Sequence, residues 1–306
     1  MMKILITGST GFVGQEVIAQ IAQKANFRCV IREGESLICD DVFVINGLDK
    51  NTCWDAGLTN VNAIIHLAGI AHNKYLSQDD FRSVNTDGTL HLAREAARLG
   101  VKRFVFASSI GVNGTFTDVE PFNINSIANP HNPYAQSKYE AELGLKEIAD
   151  ETGLEVVIVR PTLIYGANAP GNFGMLTRLV KSLPILPFGL VNNRRSFISV
   201  KNIASLLLEC ATNQNAAGHL FLASDGETIS TKQFTNAIAE GLGKKVFQLP
   251  IPASFMRLCG KLTGKSAVME QLLNNLEVDS SNLQEVLGWT PPLSMRQAMA
   301  SLRELK

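Results

Sequence analysis

The chain has 306 residues, of which 45% are hydrophobic, and its 28 basic residues balance its 28 acidic ones. A chain of this length can bury a sizeable core and predicts one large domain or two unequal ones. Its zero net charge argues against nucleic acid and against an anionic membrane as a partner. No apolar run reaches the roughly eighteen residues of a membrane span, and the run at residues 1–6 is too short for a signal peptide.

The five cysteines form no CxxC motif and no Cys/His cluster. This pattern predicts no metal site and favours buried, reduced thiols in a reducing compartment. We therefore expect a cytoplasmic protein with neither a membrane nor a nucleic-acid partner.

Short apolar runs alternate with helical periodicity through the first half of the chain. Helices are predicted after Gly14, over residues 80–99 and over residues 132–151, where an Asn N-cap precedes a Pro at the first helical position. Strands are predicted at residues 3–6, 27–31, 42–45, 63–67, 103–107 and 155–159. Apolar strands that alternate with helices indicate an α/β fold, a doubly wound parallel sheet of the Rossmann type.

The pattern changes after residue 164. Gly and Pro predict loops at residues 166–174 and 183–195, followed by shorter helices. These helices are predicted at residues 201–212, 231–242, 252–263 and 280–287. We predict a dinucleotide-binding domain at residues 1–164 and a smaller, substrate-binding cap at residues 165–306, with residues 196–215 returning to the main body.

A glycine-rich turn joins the first strand to the first helix. Gly8 permits the sharp turn, Gly11 lets a pyrophosphate approach the backbone, and Gly14 lets the helix pack close to the strand. The start of a helix leaves N–H groups unpaired and favours an anion. An ordinary glycine turn is the alternative, and no Gly-Lys-Ser/Thr follows that would indicate an ATPase phosphate loop. The predicted cofactor contacts are Gly8, Thr10, Gly11, Phe12, Val13 and Gly14.

A second pattern joins Ser109, Tyr134 and Lys138. Tyr134 and Lys138 lie four apart on a predicted helix and so share one face, with Tyr134 in the first turn. The helix dipole and a nearby ammonium are expected to lower the pKa of Tyr134 from about 10 toward working pH, which suits proton transfer. Ser109 follows the fifth strand, where parallel sheets place their ligands. The alternatives are a chance Tyr/Lys spacing and a serine that only caps backbone.

These motifs resemble the short-chain dehydrogenase/reductase superfamily, and specifically its extended branch, the NAD-dependent epimerase/dehydratase family that acts on nucleotide sugars. The resemblance covers essentially the whole chain, and some stretches resemble bacterial enzymes of polysaccharide synthesis. The motifs that carry it are Gly8-x-x-Gly11-x-x-Gly14, Ser109, Tyr134-x-x-x-Lys138, Arg160-Pro161-x-x-x-Tyr165-Gly166 and Arg195-Ser196-Phe197-Ile198-Ser199-Val200.

The resemblance implies a role for each matched residue of the cofactor side. Tyr134 would be the catalytic acid/base, Lys138 its partner and a ribose ligand, and Ser109 the hydroxyl that orients the substrate. Asn85 would support the cofactor region, or bind only a neighbouring loop. His66 is expected to be a packed strand residue rather than a ligand. The turn beside the adenosine half would be formed by Leu67, Ala68 and Gly69.

The resemblance also implies a nucleotide-sugar substrate and a homodimer. Arg195 would bind the pyrophosphate of the sugar nucleotide, for which a guanidinium is suited, and Asn172 would lie on the uridine side. A solvated loop arginine is the alternative for Arg195. The two long helices at residues 80–99 and 132–151 would form a four-helix dimer interface. Residues 266–277 hold no second arginine for the pyrophosphate, which leaves the nucleotide open.

The cofactor prediction rests on the end of the second strand. NAD-specific members of the family carry an acidic residue there, whereas this chain has Arg32, which can pair with a 2′-phosphate. The sequence therefore favours NADP over NAD, and with it a 4-ketoreductase of a UDP-4-keto-6-deoxy-hexosamine. A UDP-glucose or UDP-GlcNAc 4-epimerase is the alternative. A non-nucleotide ketone reductase, suggested by the apolar loop at residues 183–188, and a non-catalytic dinucleotide sensor are further readings.

Overall fold

A parallel sheet forms the centre of the protein in a computed structural model, which describes residues 2–22, 25–36, 39–71 and 76–304. The strands of the described chain, in order, are β1 Lys3–Thr7, β2 Asn26–Arg32, β3 Val42–Ile45, β4 Ala63–His66, β5 Arg103–Ala107, β6 Glu155–Pro161, β7 Leu163–Tyr165, β8 Ile185–Leu186, β9 Arg195–Ser199, β10 Leu220–Ala223, β11 Thr228–Ile229 and β12 Phe247–Gln248.

The main sheet has seven strands in the order β10-β6-β5-β4-β1-β2-β3. Every neighbouring pair is parallel. The chain reverses its direction of progress across the sheet between β1 and β4, and such a switch point is where open α/β sheets bind ligands. The predicted doubly wound Rossmann fold is therefore confirmed.

Helices cover both faces of this sheet. The helices of the described chain, in order, are α1 Phe12–Ile21, α2 Gln78–Arg82, α3 Thr89–Arg98, α4 Pro133–Thr152, α5 Gly171–Ser182, α6 Val200–Thr212, α7 Thr231–Gly241, α8 Ala253–Leu262, α9 Ser266–Leu273, α10 Asn282–Leu287 and α11 Met295–Ala300. The predicted helix at residues 80–99 comprises α2, a π-helical stretch over Ser83–Gly88 and α3.

The strands are apolar on both faces because each face is buried under a different helix layer. Ile4 and Ile6 pack into the core formed with α1, α6 and α10, whereas Leu5 between them packs into the core under α3 and α4. Successive side chains of a strand point to opposite faces, so one continuous apolar run supplies both layers.

The cap has an apolar core of its own. A three-stranded sheet, β11-β9-β7, places Phe197 flat against Phe234 of α7, with ring centroids 3.8 Å apart. A second small sheet joins β12 to β8. The chain also crosses back, since α6 packs on α1 and β10 forms an edge of the main sheet.

Several local predictions for the second half were wrong. Residues 171–174 belong to α5 rather than to a loop, and Gly174 is required there because a Cβ would lie 2.5 Å from the Ala169 carbonyl oxygen. The predicted loop at 183–195 contains β8 and the first residue of β9. Helices α9 and α11 were not predicted.

The cysteine prediction is confirmed in part. All five thiols are free, but Cys53 and Cys259 are exposed rather than buried. Within the described ranges, no helix is both long and apolar enough to cross a bilayer.

Candidate active site

The glycine turn after β1 is too tight for any other residue. Gly8 has a φ of +68°, and a Cβ there would lie 2.7 Å from the backbone nitrogen of Ala68. A Cβ on Gly14 would lie 2.2 Å from the carbonyl oxygen of Gly8. The turn after β4, formed by Leu67 and Ala68, therefore packs directly against the first glycine turn.

Helix α1 begins on this turn without a side-chain cap. Its N-cap residue is Gly11, which has no side chain to cap the first turn. The N–H groups at the start of a helix have no partner within it, and the dipole places partial positive charge there. A backbone cradle that a Cβ would fill, at the switch point of the sheet, fits the pyrophosphate of a dinucleotide.

The adenosine end of the cradle contains a carboxylate that the sequence analysis missed. Glu35 accepts hydrogen bonds from the backbone N–H of Arg32 (3.0 Å) and from the Thr10 hydroxyl (3.3 Å). Its other oxygen pairs with the Arg32 guanidinium at 2.7 Å. The hydrogen bonds from Arg32 hold the pKa of Glu35 below its ordinary value. The charge of Arg32 is thus already paired, and an acidic group faces the glycine turn.

Ser109 and Tyr134 lie next to each other in the cleft. The Asn132 side chain accepts a hydrogen bond from the N–H of Ala135 (2.8 Å) and, with Pro133, starts α4 so that Tyr134 lies in its first turn. Ser109 follows β5, accepts a hydrogen bond from the N–H of Gly111 (3.1 Å), and lies close enough to the Tyr134 phenol to lower its pKa. It therefore both caps backbone and reaches the tyrosine.

The pKa of Tyr134 differs from the prediction. Burial raises it above its ordinary value, while the hydrogen bond with Ser109 lowers it by less. The ammonium of Lys138 is held elsewhere: it donates to the Ala107 carbonyl at 2.9 Å and lies 4.6 Å from the centre of the Phe106 ring. Burial lowers the pKa of Lys138 to about 8. The expected lowering of the phenol pKa by this ammonium is thus wrong.

Asn85 ties the turn after β4 to α4. Its amide bonds both backbone groups of Ile70, at 2.9 Å each, and donates to the Ser137 hydroxyl at 3.0 Å. A Cβ on Gly69 would lie 2.8 Å from the Asn85 side-chain oxygen. Asn85 therefore binds the neighbouring turn and holds it beside Lys138, which is compatible with either role expected from the sequence.

His66 is a packed strand residue, as predicted. One ring nitrogen bonds the Thr7 hydroxyl (2.7 Å) and the other bonds the Thr89 hydroxyl (2.9 Å). Burial, helped by the charge of Lys138, lowers its pKa to about 3. The neutral ring is fully used in joining β1, β4 and α3. Within the part of the chain that the structure describes, no cluster of His, Cys, Asp and Glu could hold a metal.

A buried ion pair lies behind the catalytic candidates. The Glu142 carboxylate on α4 pairs with the Arg160 guanidinium at the end of β6, with 2.9 Å from Nε to Oε1, and accepts a hydrogen bond from Ser108. Arg160 also donates to the Asn113 side chain at 3.0 Å. The negative charge of Glu142 raises the pKa of Lys138 against the effect of burial. Sequence reasoning missed this residue, although it stands four positions after Lys138.

The substrate candidates of the cap meet at the end of α9. Arg195 donates to the backbone carbonyl of Asn274 at 3.0 Å, and Asn172 donates to the Gln271 side chain at 3.1 Å. Burial lowers the pKa of Arg195 to about 10. The segment that follows Ser109 reaches the same part of the cap, because the N–H of Thr117 donates to the Asn275 carbonyl.

A glycine cradle at the switch point, with a Ser/Tyr pair and a buried lysine at the adjacent strand end, defines a Rossmann-fold enzyme of the short-chain dehydrogenase/reductase class. The chain belongs to the NAD dependent epimerase/dehydratase family, whose model matches residues 4–223. It therefore lies in the extended branch of that superfamily, as the motifs suggested.

Relatives and solved structures agree with this membership. The chain is 39% identical to a UDP-glucose 4-epimerase of Vibrio cholerae over 96% of its length and 92% of the relative. It is 23% identical to an N-acetyl-α-D-glucosaminyl-diphospho-ditrans,octacis-undecaprenol 4-epimerase of Escherichia coli O157:H7, over 97% and 93%. It superimposes with a TM-score of 0.79 on UDP-N-acetylglucosamine 4-epimerase from Bacillus cereus, at 21% identity over 100% and 96% of the two chains.

Proposed function

We propose that the protein is a 4-epimerase of a UDP-sugar and uses a bound nicotinamide dinucleotide. The observation that carries the proposal is the placement of Ser109 and Tyr134 together beside buried Lys138, at the strand end next to the glycine cradle. The V. cholerae relative that spans nearly the whole chain bears the name UDP-glucose 4-epimerase. The E. coli relative's name gives a sugar diphosphate carried on a polyprenol, so the sugar diphosphate is common to both named substrates.

In this proposal residues 1–164 hold the cofactor and residues 165–306 supply the sugar side. The N-terminus of α1 and its glycine turn hold the pyrophosphate, and Glu35 accepts hydrogen bonds from the adenosine ribose. Arg195 binds the diphosphate of the substrate, and Asn172 lies toward its nucleotide. A dinucleotide held at the glycine turn would supply the hydride chemistry at C4 of the sugar.

Tyr134 and Ser109 handle the oxygen on C4. Ser109 holds that oxygen within reach of the phenol, and Tyr134 removes its proton as C4 is oxidised and returns the proton as C4 is reduced. The buried ammonium of Lys138 supplies positive charge beside the cleft, which favours a developing phenolate once substrate excludes water. Turnover to the other C4 epimer requires the sugar to present its opposite face between these two steps.

The Arg32–Glu35 pair favours the epimerase over the ketoreductase that the sequence suggested. A 2′-phosphate would meet the Glu35 carboxylate and would compete for a guanidinium that is already paired at 2.7 Å. A carboxylate instead suits ribose hydroxyls, so we propose NAD as the resident cofactor. The 4-ketoreductase remains the second candidate because Arg32 stands at the end of β2 and could turn to a phosphate.

Incubation with UDP-glucose or UDP-GlcNAc tests the proposal directly. We expect the corresponding galacto-sugar to form until equilibrium is reached, without net use of cofactor.

Titration of the purified protein should give tighter binding of NAD than of NADP. Oxidation of NADPH by a UDP-4-keto-6-deoxy-hexosamine, with no epimer formed, would support the ketoreductase instead. Failure of both assays would overturn the substrate class. An Arg195→Ala variant with an unchanged KM would point to a non-nucleotide ketone.

A further inference from the structure

One segment of the cap has an unbalanced charge. Between Glu240 and Glu270 the chain contains five basic residues and no acidic one, a formal charge of +5 in a protein whose net charge is zero. Arg257 pairs with Glu270 at 3.1 Å, so the excess positive charge of the folded segment is carried by its lysines. Four of the five are lysines, and a lysine is a compact charge that stays strongly hydrated. The basic residues are Lys244, Lys245, Arg257, Lys261 and Lys265. The expectation of no membrane partner rests on the net charge of the whole chain, and that sum hides the charge of this segment.

The same segment exposes large apolar side chains. On α8, Phe255, Leu258 and Leu262 recur at helical spacing and are 55%, 52% and 79% exposed. The opposite side of this helix is buried through Met256 and Gly260. The helix therefore presents an apolar stripe to solvent, whereas a surface helix ordinarily turns its apolar stripe inward.

A second apolar pair lies on the small sheet that precedes α8. The parallel register places Phe247 of β12 beside Ile185 of β8, and the two side chains are 63% and 48% exposed. Together, β8, β12 and α8 form what we call the basic apolar edge of the cap. Exposed apolar groups of this size, rimmed by lysines, mark an interaction surface rather than ordinary solvent-exposed residues.

This edge adjoins the substrate side of the cleft. Arg257 of α8 donates to the Asn274 side chain at 3.0 Å, and Arg195 donates to the backbone carbonyl of the same residue at 3.0 Å. One residue therefore connects the apolar helix to the arginine assigned to the sugar diphosphate. A partner bound to α8 would therefore lie close to the opening of the cleft.

We infer that the basic apolar edge docks on the surface of an anionic lipid bilayer. A helix with Phe and Leu on one side and Lys nearby lies in the interface, with its apolar side chains below the headgroups and its lysines among them. A second copy of this chain fits less well, because a two-fold interface would face each basic segment with another. The inference stands apart from the proposed reaction, and it would bring the cleft to sugar diphosphates carried on lipids.

Flotation of the full-length protein with vesicles tests this inference. We expect binding to vesicles made of equal parts phosphatidylglycerol and phosphatidylcholine, little binding to phosphatidylcholine alone, and release by salt. Leu262→Ser should weaken the partition coefficient roughly tenfold, since it removes one buried leucine from the interface. Lys261→Gln should weaken it roughly fivefold, which corresponds to one lysine near an anionic surface.

Matched variants outside the edge provide the controls. Ile127→Ser removes an apolar side chain that is 88% exposed, and Lys201→Gln removes an exposed lysine of α6; both should bind vesicles like the wild type. Equal binding by all variants, or equal binding to both vesicle types, would overturn the inference. So would a change of molecular mass in Leu262→Ser, because it would assign the edge to a second copy. Epimerisation of a soluble UDP-sugar should be unchanged in Leu262→Ser, which separates this test from that of the reaction.

Discussion

At the scale of single residues, the phenol of Tyr134 decides whether the site can move a proton. Tyr134→Phe keeps a ring that can still pack edge-on against Phe81, at 6.5 Å between centroids, but removes the hydroxyl that bonds Ser109. We expect turnover to fall by roughly 10²–10⁴-fold, the usual contribution of a general acid/base. Cofactor affinity, measured by titration, should stay within a small factor of the wild-type value.

Tyr139→Phe is the matched control, since Tyr139 lies on the same helix outside the predicted site. It should retain full turnover. A Tyr134→Phe enzyme that works at the wild-type rate would contradict the assigned role, whatever its affinity for cofactor.

A second residue-scale prediction concerns His66 and acid stability. Its folded pKa of about 3 lies below the ordinary 6.5, so the unfolded chain binds the extra proton first. The stabilisation from the neutral ring is therefore complete above pH 6.5 and is lost as the pH falls toward 3. Between pH 7 and 5 this costs about 2 kcal/mol of unfolding free energy.

Urea unfolding at the two pH values, compared with His66→Gln, isolates this contribution. The glutamine variant is less stable at pH 7 but should lose less on acidification, because it has no ring to protonate. An equal loss in both proteins would show that other groups carry the acid sensitivity.

At the scale of elements, α4 places Tyr134, Lys138 and Glu142 four residues apart on one face. Glu142 is 1% exposed and keeps Arg160 and Ser108 in place next to Ser109. Glu142→Gln removes the negative charge that raises the pKa of Lys138, so that pKa should fall further below its ordinary value. The basic limb of the turnover–pH profile should then move to lower pH.

Breaking a buried pair is costly, about 3–5 kcal/mol, because the partner charge is left unpaired. A Glu142→Gln, Arg160→Met double variant removes both charges and should recover much of the unfolding free energy. Its turnover–pH profile should nevertheless stay shifted, because Lys138 still lacks the negative charge of Glu142. If the double variant recovers its unfolding free energy and also has the wild-type pH profile, Glu142 has only a packing role.

The elements also show what the sequence could and could not predict. Six strands of the main sheet follow from continuous apolar runs, because burial on both faces leaves a strong signal. Helix α9 and β10 were missed although both carry a signal: Leu220–Ala223 is a continuous apolar run, and Met269 and Leu273 stand at helical spacing. Glu35 escaped notice because it stands three residues beyond β2, and the turn at Gly34, with a φ of +84°, returns its carboxylate to Thr10. The pKa of Tyr134 could not be predicted because the direction of the Lys138 side chain is a tertiary property.

At the scale of the whole molecule, two exposed apolar surfaces differ in charge. The basic apolar edge has an excess of positive charge, with Glu270 paired to Arg257. The outer side of α3 and α4 has both signs, with Arg94 on α3 and Glu147 on α4 exposed, and Leu143 of α4 is 43% exposed. A two-fold interface pairs a surface with itself, so an excess of one charge sign on that surface repels its copy. We therefore expect any homodimer to form on α3 and α4 and the cap edge to meet lipid.

Light scattering distinguishes the two surfaces. The wild type should have twice the 33.2 kDa mass of one chain. Leu143→Arg should be monomeric, because a two-fold axis would bring two new positive charges together within an apolar contact, and its unfolding free energy should change little. Leu262→Ser should stay dimeric while it loses vesicle binding. A monomeric wild type would refute the dimer on α3 and α4, and a dimer that only Leu262→Ser disrupts would exchange the two assignments.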